Sequence, residues 1–196
     1  MLQGLYDRKG CRVSHNFFYS LGRALLGFPD DALNRGVPIV IHEPLTVLLI
    51  EDNRDDEQLA LRALRTCGLP LFVRVARDGE AALRALGLEG EPDERRYSVP
   101  DLVISDLKMP KVNGDEVLRR ARGEERLREV PYVVFSSSDE EDDVRRCLEC
   151  GATAYCVKPV DFQVFLRCAT EIARHWLPSG GSAQKPFCIL GPAVAA

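Results

Sequence analysis

This 196-residue chain has no excess of positive charge, no long uncharged apolar run and no regular cysteine framework. Its 26 basic residues against 30 acidic ones leave a net charge of −4. It therefore lacks the basic surface that tracks a phosphate backbone, and direct DNA binding is disfavoured. No stretch approaches the roughly eighteen apolar residues of a membrane span. Arg23 interrupts the best candidate, residues 17–28, and polar residues break every later run. The N-terminus also lacks the basic start and continuous apolar segment of a secretory signal. Seven cysteines, an odd number without even spacing, argue against a disulfide scaffold and for a reducing, cytoplasmic setting. At 45% hydrophobic and 29% charged residues, wholesale disorder and collagen-like or mucin-like chains are excluded.

What is present is enough chain for one sizeable core and two appendages. Composition shifts near Pro44 and Pro178, which sets off a central unit at 45–177, the size of one domain. Residues 1–44 are an extension of unassigned role, read as disordered chain or as the product of an upstream start codon. Residues 178–196, beginning with a Ser/Gly-rich stretch, read as a flexible tail. Inside the central unit, short β-branched or leucine-rich runs alternate with amphipathic stretches, as in βα units with a parallel sheet covered by helices on both faces. Strands are expected at 46–50, 71–76, 102–105, 132–135 and 153–157. One helical stripe carries Leu59, Ala60, Ala63, Leu64 and Cys67. A second carries Phe162, Phe165, Leu166, Ala169, Ile172, Ala173 and Trp176. The polar segment 87–100, with Glu89, Glu91, Asp93, Glu94, Arg95 and Arg96, reads as a long surface loop.

In an open parallel sheet, reactive groups gather where strands end at their carboxyl side. Glu51 and Asp52 follow the first strand, Asp106 the third, Ser136 the fourth, and Lys158 with Pro159 the fifth. Three converging carboxylates repel unless a cation offsets them, which calls for a hard divalent ion with oxygen ligands, most simply Mg²⁺. A neighbouring amine and hydroxyl suit phosphoryl oxygens, so the set describes a phosphoryl-transfer site with an Asp nucleophile. Blander readings stand beside this one. Asp52 or Asn53 equally serves as a helix cap, Ser136 as an N-cap serine before the acidic helix start, and Tyr155 as a core aromatic.

Residues 46–177 resemble the receiver domain of two-component response regulators. The likeness rests on LLIEDN at 48–53, DLVISDLKMPKVNGDEVL at 101–118, VVFSSSD at 133–139 and AYCVKPV at 154–160. The intervals of thirty residues from Asp106 to Ser136 and twenty-two from Ser136 to Lys158 fit that family without gaps. The fifty-four from Asp52 to Asp106 is longer by about the acidic loop. The resemblance implies a flavodoxin-like, doubly wound α/β fold with five parallel strands in the order 2-1-3-4-5. It implies that Asp106 accepts a phosphoryl group from a phosphohistidine on a sensor histidine kinase. Glu51, Asp52, Asp106 and the backbone carbonyl of Lys108 would hold Mg²⁺, and Lys158 would pair with the phosphoryl oxygens. Ser136 would bond the phosphate, Tyr155 would be the aromatic that turns inward with it, the Lys158–Pro159 bond would be cis, and Gly114 would serve the turn into the third helix.

Only nineteen residues follow Leu177, too few for a helix-turn-helix output domain, so a stand-alone signalling protein acting through protein contacts is expected. The acidic loop, the SSSDEEDDV run and the ARHWL helix end resemble the regulators paired with bacterial phytochromes. That narrower likeness implies a phytochrome-type kinase and a homodimer through the fourth helix, fifth strand and fifth helix. Beyond Mg²⁺-dependent phosphorylation and dephosphorylation of itself, no enzymatic turnover is expected. The alternative is a Mg²⁺-dependent phosphohydrolase of the haloacid-dehalogenase type, which needs a second acid where Lys108 stands. A flavin site is disfavoured because Glu51–Asp52–Asn53 stands in place of a hydroxyl-rich phosphate loop, and its two acids would repel an anionic phosphate. The pair Cys147 and Cys150 lies on an expected helix whose apolar stripe is Val144, Cys147 and Leu148, and no second ligand pair occurs at zinc-ribbon spacing, so zinc binding is disfavoured.

Overall fold

In a computed structural model the chain is described over residues 44–90 and 99–177 and along the backbone of 189–190. The N-terminal extension, the loop residues Glu91, Asp93, Glu94, Arg95 and Arg96, and most of the tail lie outside these described residues. The elements run β1 (Leu45–Ile50), α1 (Arg54–Thr66), β2 (Leu71–Ala76), α2 (Gly79–Ala85), β3 (Leu102–Ser105) and α3 (Gly114–Gly123). After a 3₁₀ turn at Glu125–Leu127 come β4 (Tyr132–Ser136), α4 (Glu141–Glu149), β5 (Ala154–Val157), α5 (Phe162–Trp176) and β6 (Ile189–Leu190). Strands β1 to β5 are parallel in the order 2-1-3-4-5, the expected topology. The tail adds something the reading of a flexible end did not contain. β6 pairs antiparallel with β5 and covers its outer edge at Tyr155 and Cys156.

Alternation along each strand divides the core between the two faces of the sheet. Val47, Leu49, Leu102, Ile104, Val133, Phe135, Ala154 and Cys156 face one side, where α1 and α5 contribute Ala60, Ala63, Leu64, Phe165, Ala169 and Ile172. Leu48, Ile50, Val103, Tyr132, Val134 and Tyr155 face the other, packed on Leu83, Val117, Leu118 and Cys147 of α2, α3 and α4. Strands covered on both faces read as unbroken apolar runs for this reason. The α5 stripe is right in its centre and wrong at its start. Phe162, in the first turn of α5, is 39% exposed, and its ring centroid lies 5.6 Å from the Arg62 guanidinium carbon.

Two glycines set loop packing near the carboxyl edge. A Cβ on Gly114 would stand 2.1 Å from the carbonyl oxygen of Asp106, so the turn into α3 needs glycine there, as expected. A Cβ on Gly79 would stand 2.1 Å from the Val112 carbonyl oxygen. The loop from β3 to α3 can therefore lie flat against the start of α2, where Lys111 reaches Asp78 at 2.9 Å. No described helix is long and apolar enough to cross a membrane.

Candidate functional site

Strand register brings the site together. Ile50 is paired with Ser105, so the residues that follow, Glu51 and Asp106, leave neighbouring strands side by side. Backbone bonds fix both exits: Glu51 donates to the Ala76 carbonyl at 2.9 Å and Asp106 to the Ile50 carbonyl at 2.9 Å. Ser136 is paired with Val157, and the next amide, Lys158, donates to the Ser136 carbonyl at 2.7 Å. One carboxylate oxygen each from Glu51, Asp52 and Asp106 lies within 4.8 Å of the others, an oxygen-rich trio suited to a hard divalent cation. Asp106 is 8% exposed, yet its surroundings are polar. Its Oδ1 accepts from the Leu107 amide and its Oδ2 from the Lys158 ammonium at 2.7 Å.

The charges are strongly coupled. Lys158 Nζ also contacts Glu51 Oε2 at 2.7 Å and Asp56 Oδ2 at 2.9 Å. Burial pushes the lysine downward, but Asp106 and Glu51 outweigh it, so the ammonium is held above its ordinary range and stays charged. For Glu51, burial is the largest influence and Lys158 opposes it, while the nearby Asp106 and Asp56 charges add to burial. The carboxyl is pushed up to about 7. One ammonium thus offsets only part of the negative charge packed around it, and a dication would be favoured here.

Ser136 ends β4 and is fully buried, and its Oγ accepts from the Ser138 amide at 3.4 Å. It is not a helix cap, since Glu140 holds the N-cap position of α4. Asn53, in contrast, does cap α1, accepting from the Asp55 and Asp56 amides at 2.9 and 3.2 Å. Tyr155 is fully buried with its hydroxyl donating to the Ser138 carbonyl at 2.8 Å. Burial pushes that phenol up to about 12. The Lys158–Pro159 bond is trans, correcting the expectation of a cis bond. Trans is the default isomer for X–Pro, and here the lysine is placed by its backbone bond to Ser136 and by its carboxylate partners. Burial pushes the Cys147 thiol up to about 12, which keeps it protonated and inert near neutrality.

Two sets of residues escaped the sequence reading. Asp56 is one; its signal is a carboxylate one helical turn beyond Asp52, which the cap at Asn53 makes easy to read as helix chemistry alone. The other is built on Asp143, in the first turn of α4. This buried carboxylate takes the Ser138 hydroxyl at 2.6 Å, Arg146 at 2.7 Å and the Lys108 ammonium at 3.2 Å. The Ser138 hydrogen bond leads the influences that hold its carboxyl below the ordinary range. The run Asp139 to Asp143 offers five acids, and only the tertiary structure singles out which one turns inward.

The comparisons with known proteins agree with this geometry. The family model described as the response regulator receiver domain matches residues 47–169. The probable methanogenesis regulatory protein FilR2 of Methanothrix harundinacea is 38% identical over 145 residues, 74% of this chain and 92% of that protein. The structure of the phosphorylated cyanobacterial phytochrome response regulator RcpA is 31% identical with a TM-score of 0.65, covering 72% of this chain and 100% of that one. The Mn(2+)-bound form of response regulator Rcp1, a protein of Synechocystis, is 30% identical with a TM-score of 0.64, covering 73% and 99%. These matches leave the phosphohydrolase alternative without support, and the lysine at position 108, engaged by Asp143, is not the second acid such an enzyme needs. On a domain match over more than half its length and relatives covered almost end to end, the chain belongs to the response regulator receiver domain family.

Proposed function

We infer that Asp106 is the phosphoacceptor of this two-component signalling protein and that a phytochrome-type sensor histidine kinase supplies the phosphoryl group. In the transfer, a carboxylate oxygen of Asp106 forms the new O–P bond, the P–N bond of the donor phosphohistidine breaks, and the departing imidazole takes up a proton. Mg²⁺, held by Glu51, Asp52, Asp106 and the backbone carbonyl of Lys108, would supply charge neutralisation for the incoming phosphoryl oxygens. Lys158, already on Asp106, is placed to follow the charge onto the phosphoryl group. Ser136 would donate its hydroxyl to it, and Tyr155, bonded to Ser138, would report that movement to α4.

The single observation that carries this reading is the convergence of the three carboxylates within 4.8 Å with the Lys158 ammonium 2.7 Å from Asp106. The likeness to RcpA, a phosphorylated phytochrome response regulator, and to the Mn(2+)-bound form of Rcp1 supports the kinase class and the metal. The protein signals through protein contacts in the cytoplasm, as a homodimer through the α4, β5 and α5 face. Pairing there would use helix side chains, since β6 already takes edge hydrogen bonds of β5. Intact mass after incubation with phosphoramidate and Mg²⁺ tests the core of this reading. One phosphoryl group should be gained and mapped to Asp106, and a chelator should prevent it. Turnover of small phosphate esters without a stable adduct would overturn it.

A further inference from the structure

An ammonium has three N–H bonds, and Lys158 directs all three at carboxylates: Glu51 and Asp106 at 2.7 Å each and Asp56 at 2.9 Å. Two of these three are shared with the metal trio, while Asp56 is not part of it. Asp56 also sits differently. It lies in the first turn of α1 with its amide bound by the Asn53 cap, and its side chain is 30% exposed, against 3% for Glu51 and 10% for Asp106. A divalent ion on Glu51 and Asp106 shares these carboxylates with the ammonium, and the two cations repel each other. A partner outside the trio, on the solvent side and preordered by a helix cap, gives the lysine a place to remain.

We propose that Asp56 is a positioning residue that tethers the Lys158 ammonium at the rim of the site while a divalent cation occupies Glu51, Asp52 and Asp106. Both cations are then in place when the phosphoryl group arrives on Asp106. The tether rests on the phosphoacceptor reading but concerns cation accommodation, which is measured without phosphorylation.

The test is a double-mutant cycle on Mg²⁺ affinity, measured by calorimetric titration of the full chain. Asp56→Asn should weaken Mg²⁺ binding roughly fivefold, the size expected for an ion pair at the rim of the site, and Asp56→Glu should recover most of that loss. In a Lys158→Met background, where no ammonium needs holding, Asp56→Asn should change the affinity by less than about twofold. Equal weakening in both backgrounds overturns the tether, because Asp56 would then act only as added negative charge. An unchanged affinity in the single variant overturns it as well. Phosphoramidate labelling of the wild type keeps the two ideas apart. Wild type that binds Mg²⁺ but gains no phosphoryl group overturns the phosphoacceptor reading while the cycle still decides the tether. Wild type that binds no Mg²⁺ overturns both.

Discussion

Two cationic side chains are drawn into this protein at opposite ends of the sheet, and they are satisfied in opposite ways. At the carboxyl ends of the strands, Lys158 meets three carboxylates. Near the amino ends of β4 and β5, Arg122 meets neutral acceptors: the carbonyls of Gly151 at 2.8 Å, Leu127 and Val130 at 2.9 Å and Arg128 at 3.0 Å, with the Thr153 hydroxyl at 3.3 Å. The carbonyls take up the Nε and Nη1 donors of the guanidinium and carry no net charge, so that end is a structural clamp between α3 and the two strands. The carboxylates exceed the one ammonium they hold, so the other end retains attraction for a dication. Desolvation depresses the guanidinium of Arg122 below its ordinary range, whereas the carboxylates carry Lys158 above its own. Desolvation acts at both sites, fully at buried Lys158 and partly at half-buried Arg122, and the acceptor type separates function from scaffolding.

That contrast can be broken most decisively at Asp106. Asp106→Asn should abolish phosphate incorporation from phosphoramidate, read by intact mass, while leaving the thermal midpoint close to wild type, because an amide of equal size replaces one of several crowded charges. Persistent labelling at the same rate would move the chemistry elsewhere. At the opposite end, Arg122→Ala should cost about 3 kcal/mol of stability in urea titrations, since several inward carbonyls lose their donor. Mg²⁺-dependent labelling should survive in the folded fraction. A loss under about 1 kcal/mol would mean that water replaces the clamp at no cost.

Lys158→Met sharpens the comparison from the charged side. Removing the ammonium leaves its carboxylates facing one another and should destabilise the metal-free protein by about 2 kcal/mol. Mg²⁺ should recover more stability in this variant than in wild type, because it no longer competes with a resident cation. Equal Mg²⁺ stabilisation in both would show that the two cations do not share oxygens. The smallest effect is expected at Glu57, a buried carboxylate beside Asp56 whose charge is matched by Arg77 at 2.6 Å. The Arg77 hydrogen bond holds its carboxyl below the ordinary value of 4.5. Its contribution to stability is therefore present above about pH 4.5 and lost as pH falls through the lower folded-state value. Glu57→Gln should be less stable than wild type at pH 7, and the two should converge in acid, followed by urea midpoints across pH. A difference that persists unchanged at low pH would place the loss in packing and not in ionisation.

Much of this was readable before any coordinates. Runs such as Leu48, Leu49 and Ile50 must be covered on both faces, and the residue after each run is then at an edge whatever the loops do. That is why Glu51, Asp106, Ser136 and Lys158 could be named together. The limits of the reading have a common form. Asp56 and Asn53 sit in one acidic helix start where capping and lysine binding call for the same residue types. Asp143 is one of five consecutive acids. Gly79 looks like an ordinary residue after a strand until Val112 is found against it. The pairing of residues 189–190 with β5 carries almost no local pattern, because two residues are too few for a period.

The amino-acid order by itself determined the alternation of buried strands and amphipathic helices and the chemistry of the strand ends, because periodicity and residue type are local properties. Only the tertiary structure decided which carboxylates share Lys158 and which acid of α4 turns inward. Each of these depends on distances between segments up to 107 residues apart, as between Lys158 and Glu51, and on burial that raises or offsets charge only once those segments have met.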